Sequence, residues 1–333
     1  MTAFVSAQRT RISRRVRRAV GPPRRNASLV LLYHRVARAD VDPWRLAVRP
    51  EHLSEHLEIL ARHTHPTTAA GLRTAFDAGH IPPRTVLVTF DDGYADLATE
   101  VAPRLAAAGV PATMFLVSQA VDRDQEFWWD ALERALLGPD LPSQPLTLRV
   151  QGQLRVWATA PGTSRTAVHR DVWSTLRAEP PTVRDELAQA VLTWAGLPVA
   201  PRPTHRTLRS SELARLVADP LVEFGAHTAN HPWLTGLPPA EQEREILDGR
   251  AELQALVGVE VSSFAYPHGG KGDVGLTAVQ AVRRAGFTTA FLATPGRLHR
   301  RSNAHALPRV FVEDMDGEGF AALLWRYAGI RVA

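Results

Sequence analysis

The chain has 333 residues, 45% of them hydrophobic and 22% charged, which is enough for one large α/β domain or for a domain that carries an insertion. It contains no cysteine, which excludes disulfides, thiol nucleophiles and cysteine-ligated zinc or iron–sulfur clusters, so any metal site must use His, Asp or Glu. The net charge of +5 resides in eight arginines within residues 1–25, and residues 26–333, with a net charge of −3, offer no basic footprint for a nucleic-acid partner.

The N-terminal segment, residues 1–27, is predicted to be a basic disordered tail. Its arginines are not followed by the apolar stretch of about 7–15 residues that a secretory signal requires. No segment approaches the roughly 20 apolar residues of a membrane span. These patterns favour a cytoplasmic protein. Peripheral contact of the tail with anionic lipid headgroups, at the inner membrane face, is the alternative to a freely solvated tail.

From residue 28 to residue 118, short apolar runs alternate with amphipathic helical patterns. The predicted strands are residues 28–36, 85–90 and 112–117, and the predicted helices are residues 51–63 and 94–108. In the first helix, Leu53, Leu57 and Leu60 recur at the spacing of one helical face. This alternation indicates a parallel sheet covered by helices.

The alternation breaks in residues 120–207, which are rich in proline and contain five tryptophans. A small hairpin is predicted within residues 146–159. The region as a whole is interpreted as an inserted cap or subdomain, because it interrupts a pattern that resumes unchanged after it.

Beyond the insertion the strand–helix pattern continues to the end of the chain. The predicted strands are residues 222–227, 262–266, 288–293 and 306–312, and the predicted helices are residues 211–217, 238–256, 275–285 and 317–328. At least seven strands in alternation with helices predict an α/β fold, most economically a distorted (β/α) barrel of seven or eight strands built from residues 28–119 and 208–333. An open doubly wound sheet is the competing architecture, although no Gly-rich phosphate loop follows the first strand.

Ionisable side chains follow several predicted strands, at the end of an α/β barrel where enzymes place their chemistry. These strand ends read Tyr33-His34, Asp91-Asp92-Gly93, His227 with His231 four residues on, and Tyr266-Pro267-His268-Gly269. Neighbouring side chains at a strand end point in different directions, so one of two adjacent carboxylates could bind a metal while the other stays free as a base. One Asp and two His form a facial set with open positions, and a cation there lowers the pKa of its bound water to about 7.

Each of these signals alone has a plainer interpretation. Asp-Asp-Gly is more often an ordinary turn, and a His-x-x-x-His pair is as often a pair of surface histidines as a pair of ligands. Their joint placement at strand ends favours a metal site.

Three motifs occur in order along the chain: Thr89-Phe90-Asp91-Asp92-Gly93, His227-Thr228-Ala229-Asn230-His231 and Phe264-Ala265-Tyr266-Pro267-His268-Gly269. Together they resemble the polysaccharide deacetylases, the NodB-homology group of carbohydrate esterase family four. Leu32-Tyr33-His34 and Glu245-Ile246 look like a sub-branch with an N-terminal Leu-x-His strand. The resemblance covers about residues 28–118 and 208–312, and it implies a barrel of the NodB-homology type.

The resemblance also implies roles for the matching residues. Asp91 would be the general base. The metal ligands would be Asp92, His227 and His231. A backbone amide of the Tyr266-Pro267-His268 turn would help to hold the oxyanion, and Tyr266 would form part of the pocket wall. The reaction would be hydrolysis of an N-acetyl group on an amino sugar, with zinc as the first choice of metal and Co, Ni, Mn or Fe as alternatives.

Two departures from the family pattern stand out. The third motif usually opens with Arg, where this chain has Ala265. The last motif is usually Leu-x-His and supplies the acid that protonates the leaving amine, where this chain has Leu307-Pro308-Arg309.

The first and last strands of a closed barrel are neighbours, and the first strand carries its own Leu-x-His. We therefore predict that His34 is the general acid and that Arg309 orients Asp91 in place of the missing arginine. A purely structural hydrogen bond is the alternative role of His34, and His268 and His305 are alternative acids.

The sequence as a whole predicts a metal-dependent hydrolase that removes N-acetyl groups from an amino sugar or polysaccharide. Hydrolysis of another amide or an ester is the first alternative. A non-catalytic carbohydrate-binding relative is the second, and it is disfavoured because a binder need not keep both a base and a set of metal ligands. Trp128, Trp129 and Trp233 either stack on sugar rings or fill the core or cap, which is the more frequent role of a tryptophan.

Overall fold

The architecture is that of a computed structural model, which describes residues 26–139, 141–159 and 162–332. The predicted basic tail lies outside the described residues except for its last two positions, so the predicted lipid contact remains a prediction about the tail alone. Within the described ranges, no helix combines the length and apolarity needed to cross a membrane.

Strands and helices alternate over most of the described chain. The strands are β1 (Leu29–Tyr33), β2 (Arg35–Val36), β3 (Ala47–Val48), β4 (His65–Thr67), β5 (Thr85–Phe90), β6 (Ala112–Leu116), β7 (Leu146–Val150), β8 (Gln153–Trp157), β9 (Val222–Ala226), β10 (Ser263–Ala265), β11 (Thr289–Phe291) and β12 (Val310–Phe311). The helices are α1 (Pro50–His63), α2 (Ala69–Asp77), α3 (Ala102–Ala108), α4 (Trp128–Leu137), α5 (Arg165–Arg177), α6 (Pro181–Trp194), α7 (Ser210–Val217), α8 (Pro239–Val257), α9 (Leu276–Arg284) and α10 (Gly317–Ala328).

The main sheet is parallel throughout and curves into a distorted barrel. Its strand order is β11-β10-β9-β6-β5-β1-β12, and β4 pairs with the first half of β5. The first and last strands are neighbours, since Leu31 of β1 lies opposite Val310 of β12. A parallel bridge between Phe291 and Leu307 brings the two ends of the sheet together. The predicted (β/α) barrel is thus confirmed.

Continuous apolar runs form the centre of this sheet. Every residue of β1 and of β5 is buried, as expected for parallel strands that are covered on both faces. On the outside, α1 packs Leu53, Leu57 and Leu60 into the same hydrophobic core, which confirms the predicted helical face.

One predicted strand and one predicted helix are interrupted, because part of each forms backbone hydrogen bonds with another segment. The strand predicted over residues 28–36 divides into β1 and β2, and His34 lies at the break. The helix predicted over residues 94–108 becomes regular only at α3. Tyr94 instead forms a bridge with Thr207, and a π-helical turn, Leu97–Val101, precedes Pro103, which has no N–H to donate to the preceding turn.

Sequence reasoning missed several short elements and made several strands too long. It did not predict β3, β4 or α2, which have two, three and nine residues. The strand predicted over residues 306–312 shrinks to β12. One reason is Pro308, which cannot donate to a neighbouring strand.

Residues 120–207 contain α4, α5, α6 and the predicted hairpin, which is confirmed as the antiparallel pair β7–β8. Apolar side chains of these elements form a second hydrophobic cluster beside the core of the barrel. Trp128 and Trp129 belong to this cluster and are only 2% and 5% exposed. Their packing role is therefore established, and Trp129 also reaches the cavity described next.

Candidate active site

A cavity of about 280 Å³ lies at the carboxyl ends of the barrel strands. The predicted site residues that line it are His34, Asp91, Asp92, His227, His231, Tyr266, His268 and Arg309. Pro267 is buried in the turn between two of these residues. His305 lies elsewhere, with its Nε2 atom 2.8 Å from the carbonyl oxygen of Phe287, which precedes β11. The structure thus offers no support for His305 as an alternative acid.

The backbone is strained at three residues that line the cavity and at Thr228, which lies next to a fourth. Asp92, Thr228, His231 and His268 have φ angles of 74°, 67°, 52° and 60°, in the left-handed region that L-residues seldom adopt. Such conformations cost on the order of 1–3 kcal/mol each and persist where surrounding contacts fix them. Four of the nine non-glycine residues with a positive φ in the described chain lie at or beside this cavity, which is therefore a candidate functional site.

Asp92, His227 and His231 form a buried cluster whose ligand atoms lie within 4.8 Å of one another, and it is the one such group found in the described part of the chain. Asp92 Oδ1 is 3.6 Å from His227 Nε2 and 3.5 Å from His231 Nε2. Ligands about 2.0–2.2 Å from a tetrahedrally coordinated cation are separated by about 3.4 Å, so these spacings are close to those of a coordination sphere.

The protonation of this cluster also suits a cation. His227 Nδ1 donates to the carbonyl oxygen of Ala265 at 2.8 Å, which leaves the lone pair of Nε2 directed at Asp92. Burial lowers the pKa of both histidines, so their imidazoles are neutral, the form that binds metals. Burial and the charge of Asp91 raise the pKa of Asp92 well above its usual range, and a bound cation would offset that buried charge.

The turn that carries His231 is held from the side of α8. The backbone N–H of Asn230 donates to Glu245 Oε2 at 2.9 Å, and its side-chain amide donates to Oε1 at 3.0 Å. One turn farther along α8, a Cβ atom at Gly249 would lie 2.4 Å from the carbonyl carbon of Thr228. Glycine is therefore needed there for α8 to approach the strained turn.

The same turn also accepts hydrogen bonds from α6. Arg184 of α6 is 2% exposed, and its guanidinium donates to the carbonyl oxygens of His231 and Asn230, both at 2.9 Å. These bonds satisfy two carbonyl groups and fix the peptide that presents a candidate ligand. Sequence reasoning missed Arg184, because an arginine on a helix is normally a solvated surface residue.

We expect Arg184→Met to weaken cation binding by about 10–100-fold, the usual effect of losing a group that orients a metal ligand. Competition between the protein and a chromogenic chelator for Zn²⁺ or Co²⁺ measures this affinity directly. Arg123→Met is the matched control, since Arg123 pairs with Asp185, as Arg184 does, without contacting the turn. Equal affinities for the two variants would show that Arg184 has no part in positioning His231.

Asp91 and Arg309 form a buried ion pair beside the cluster. Arg309 Nη1 donates to Asp91 Oδ1 and Nη2 to Oδ2, both at 2.7 Å. Burial raises the pKa of Asp91, but the effects that lower it, of which the charge of Arg309 is the largest, outweigh burial together, and the net shift is downward. Asp91 is thus held ionised, with Oδ2 3.8 Å from His227 Nε2.

His34 projects into the cavity from the break between β1 and β2. Its Nδ1 atom is buried and has no hydrogen-bond partner among the described residues, and its ring packs against Phe311. Burial lowers the pKa of His34 to about 4, against the opposing charge of Asp91, so the resting imidazole is neutral at pH 7. His268 packs against His231 at 5.0 Å between ring centroids, and its pKa is also lowered by burial.

Aromatic side chains form much of the remaining wall. Trp129 packs against His231 with ring centroids 4.8 Å apart. Trp44, from the loop between β2 and β3, and Trp173, from α5, also line the cavity. Neither of these two has a predicted role, because no sequence motif connects the loop of residues 37–46 with the helix α5.

Comparison with known proteins finds a family model and a curated relative that match parts of the chain. The family model described as polysaccharide deacetylase matches residues 78–141 and 178–290, just over half of the chain. The curated protein YxkH of Bacillus subtilis strain 168, assigned to the polysaccharide deacetylases, is 26% identical over 121 residues. That alignment covers 36% of this chain and 42% of the relative, so the chain matches less than half of the relative's length.

Solved structures share the fold over nearly the whole chain. IcaB from Ammonifex degensii is 19% identical, with a TM-score of 0.58, and the match covers 92% of this chain and 100% of IcaB. The deacetylase PplD of Streptococcus pyogenes, solved with acetate, is 16% identical, with a TM-score of 0.55, and the match covers 92% of this chain and 99% of PplD. Identities this low show a common fold and no more.

Proposed function

The chain belongs to the polysaccharide deacetylase family, and on that premise we propose that it hydrolyses the N-acetyl group of an amino sugar with the help of a divalent cation. The observation that carries this proposal is the placement of a cation-binding set, Asp92, His227 and His231, beside an ionised and arginine-held Asp91 in one cavity. The overall reaction consumes water, breaks the C–N bond of the acetamide, and releases acetate and a free amine.

A cation held by this set would act as a Lewis acid on the acyl oxygen and lower the pKa of a water molecule to about 7. The donor set is compatible with zinc, and Co, Ni, Mn and Fe also accept two imidazoles and a carboxylate. We propose zinc as the resident ion.

Asp91 is proposed as the general base. It is the cavity carboxylate that lies outside the cation set, and the two bonds from Arg309 hold both of its oxygens in one orientation. In that state it can take a proton from the attacking water, and a base in this position contributes about 10²–10⁴-fold to the rate. The Tyr266-Pro267-His268 turn lies at the cavity wall, and we propose that one of its amides donates to the oxyanion, in the role that donors of this kind have in other acyl-transfer sites.

His34 is proposed to pass a proton to the leaving amine. Because the resting imidazole is neutral, it must first be protonated, and we propose that it receives the proton that Asp91 removes from water. The alternative is that His34 only packs against Phe311 and that Asp91 performs both transfers.

We expect His34→Gln to lower the rate of N-deacetylation by about 10²–10⁴-fold with unchanged cation content. The same variant should hydrolyse 4-nitrophenyl acetate at nearly the wild-type rate, because a phenolate leaves without a proton. Phe311→Leu is the control for loss of packing alone. If His34→Gln leaves N-deacetylation unchanged, or slows the amide and the ester equally, His34 is not the acid.

The proposed function is tested by acetate release from a panel of N-acetylated and O-acetylated sugars, with the free amine measured in parallel. We expect acetate and amine in equal amounts from at least one N-acetylated sugar. Acetate from the O-acetylated sugars alone would replace the proposal with an esterase. Absence of acetate from every sugar, with each of the five metals supplied in turn, would exclude both.

A further inference from the structure

The cavity is small for an enzyme that would act along a polymer. Its volume of about 280 Å³ lies at the lower limit of the range of about 300–1,000 Å³ that is usual for small-molecule sites. That space accommodates one sugar ring with its acetamido group. Several linked rings, as in an extended polysaccharide, need a groove that is open at both ends.

Two tryptophans from distant parts of the chain close the cavity on one side. Trp44 and Trp173 both line it, and their ring centroids are 4.6 Å apart, so the two rings are in contact. Trp173 also packs against Trp128 and His268, with centroid distances of 5.6 and 5.8 Å. We call the wall formed by Trp44 and Trp173 the tryptophan roof. Through the contact of Trp173 with His268, it is continuous with the rest of the cavity wall.

The loop that carries Trp44 is fixed in place. Asp42 accepts hydrogen bonds from the backbone N–H groups of Leu46 and Ala47, at 3.0 and 2.9 Å. Leu46 itself lines the cavity next to Trp44. A loop anchored in this way holds its half of the roof without help from a ligand.

The helix that carries Trp173, α5, is joined to the barrel by an ion pair. Arg177, one turn along α5, forms an ion pair with Asp273 in the segment between β10 and α9. Its guanidinium also lies over the rings of Trp173 and Trp233, at 5.3 and 4.8 Å from the centroids. Through Arg177, these contacts connect Trp173 with Trp233 and hold Trp173 at the cavity wall.

The chemistry of the roof suits a sugar ring. Aromatic faces pack against the C–H groups of a pyranose, while the edge of the ring carries hydroxyls that need hydrogen-bond partners. The Nε1 atom of Trp44 and the Nε2 atom of His268 are buried, and neither has a partner within the described ranges. Both are available to hydroxyl or acetamido groups of a bound sugar.

The roof lies outside the part of the chain that the family model matches. The residues matched by the family model are 78–141 and 178–290, and both Trp44 and Trp173 lie outside them. The family match thus covers Asp91 and the cation set, while His34, Arg309 and the tryptophan roof lie outside it.

We infer that the tryptophan roof restricts the substrate to a terminal N-acetylated amino sugar, either the end of a chain or a single sugar on a small aglycone, and excludes internal residues of a polymer. This inference rests on the proposed function. The terminal ring would lie between the roof and the cation set. The remainder of the bound substrate would extend out of the cavity through its open side.

The test compares each N-acetylated sugar of the panel as a methyl glycoside and as a linear hexamer. The position of every free amine is read by tandem mass spectrometry of the products. We expect wild type to release one acetate per hexamer, from a terminal residue, with values of kcat/KM that differ less than threefold between the glycoside and the hexamer. Release from internal residues, or a rate that rises tenfold or more with chain length, would overturn the inference and leave the proposed function intact.

Variants of the roof provide the second arm. Trp44→Ala, Trp173→Ala and the double variant should release several acetates per hexamer, including internal ones. Trp325→Ala, at an exposed position on α10, is the control for loss of a tryptophan elsewhere. If folded alanine variants still act on terminal residues alone, the roof does not set this specificity. Absence of acetate from every substrate would overturn the proposed function together with this inference.

Discussion

Asp91→Asn is expected to lower the rate of acetate release by about 10²–10⁴-fold, the contribution of a positioned general base. The amide has the size of the carboxylate and can still accept a hydrogen bond from Arg309, but it cannot take a proton from water. Because the cation set is Asp92, His227 and His231, the affinity for the cation should change less than threefold. Acetate release and chelator competition on the same preparation measure the two quantities.

Asp96→Asn is the matched control for this substitution. Asp96, whose side chain is 10% exposed, is an aspartate beside an arginine, with its Oδ2 atom 3.4 Å from Arg35 Nε, and it does not line the active-site cavity. Its replacement should affect stability and leave the rate within twofold of wild type. A rate for Asp91→Asn that is equal to the rate for Asp96→Asn would contradict the assignment of Asp91 as base.

Arg309→Met is expected to lower the free energy of unfolding by about 3–5 kcal/mol, the usual cost of removing one partner from a buried ion pair. Arg309 is 1% exposed, and its loss leaves the carboxylate of Asp91 buried without the guanidinium group that pairs with it. The released Asp91 should also lose its orientation, and a misplacement of about 1 Å can reduce the rate by about 100-fold. Urea unfolding of the chelator-treated protein measures the first effect, and acetate release of the cation-loaded protein measures the second.

The double variant Asp91→Asn with Arg309→Met measures the coupling free energy between the two side chains, apart from their contacts with other residues. Since the cost of Arg309→Met arises largely from the charge that it leaves behind, neutralising that charge should recover at least about 1 kcal/mol relative to the sum of the single variants, a coupling typical of contacting residues. Additive effects would show that the two side chains do not stabilise each other. Arg104→Met, at a partly exposed arginine of α3 that pairs with Glu100, should cost about 1 kcal/mol or less.

The residues of the cation set could be found in the sequence because each follows a strand that is itself easy to identify. The apolar runs of β5 and β9 end directly before Asp91 and His227, and the parallel arrangement brings such ends together. Arg309 could be connected with Asp91 only through the hypothesis that the first and last strands are neighbours. The structure shows the contact between Arg309 and Asp91, while the role of Arg309 in orienting a base remains a prediction.

The rest of the site could not be predicted because it depends on contacts between distant segments. Arg184 lies on a helix in which nothing distinguishes a buried arginine from a solvated one. Trp44 lies in a loop between strands of two residues each, too short for any periodicity. The division of the first predicted strand at His34 also escapes pattern analysis, since Arg35 and Val36 continue the strand-like sequence but pair with β3 instead.

The most direct test of the account is a cation titration of the chelator-treated protein, with acetate release from its best N-acetylated sugar followed at each addition. We predict that the treated protein is inactive, that activity rises linearly and reaches a plateau at one equivalent of cation, and that His227→Ala and His231→Ala each abolish both stoichiometric binding and activity. Full activity in the absence of cation, or a plateau that these two substitutions leave unchanged, would contradict the account.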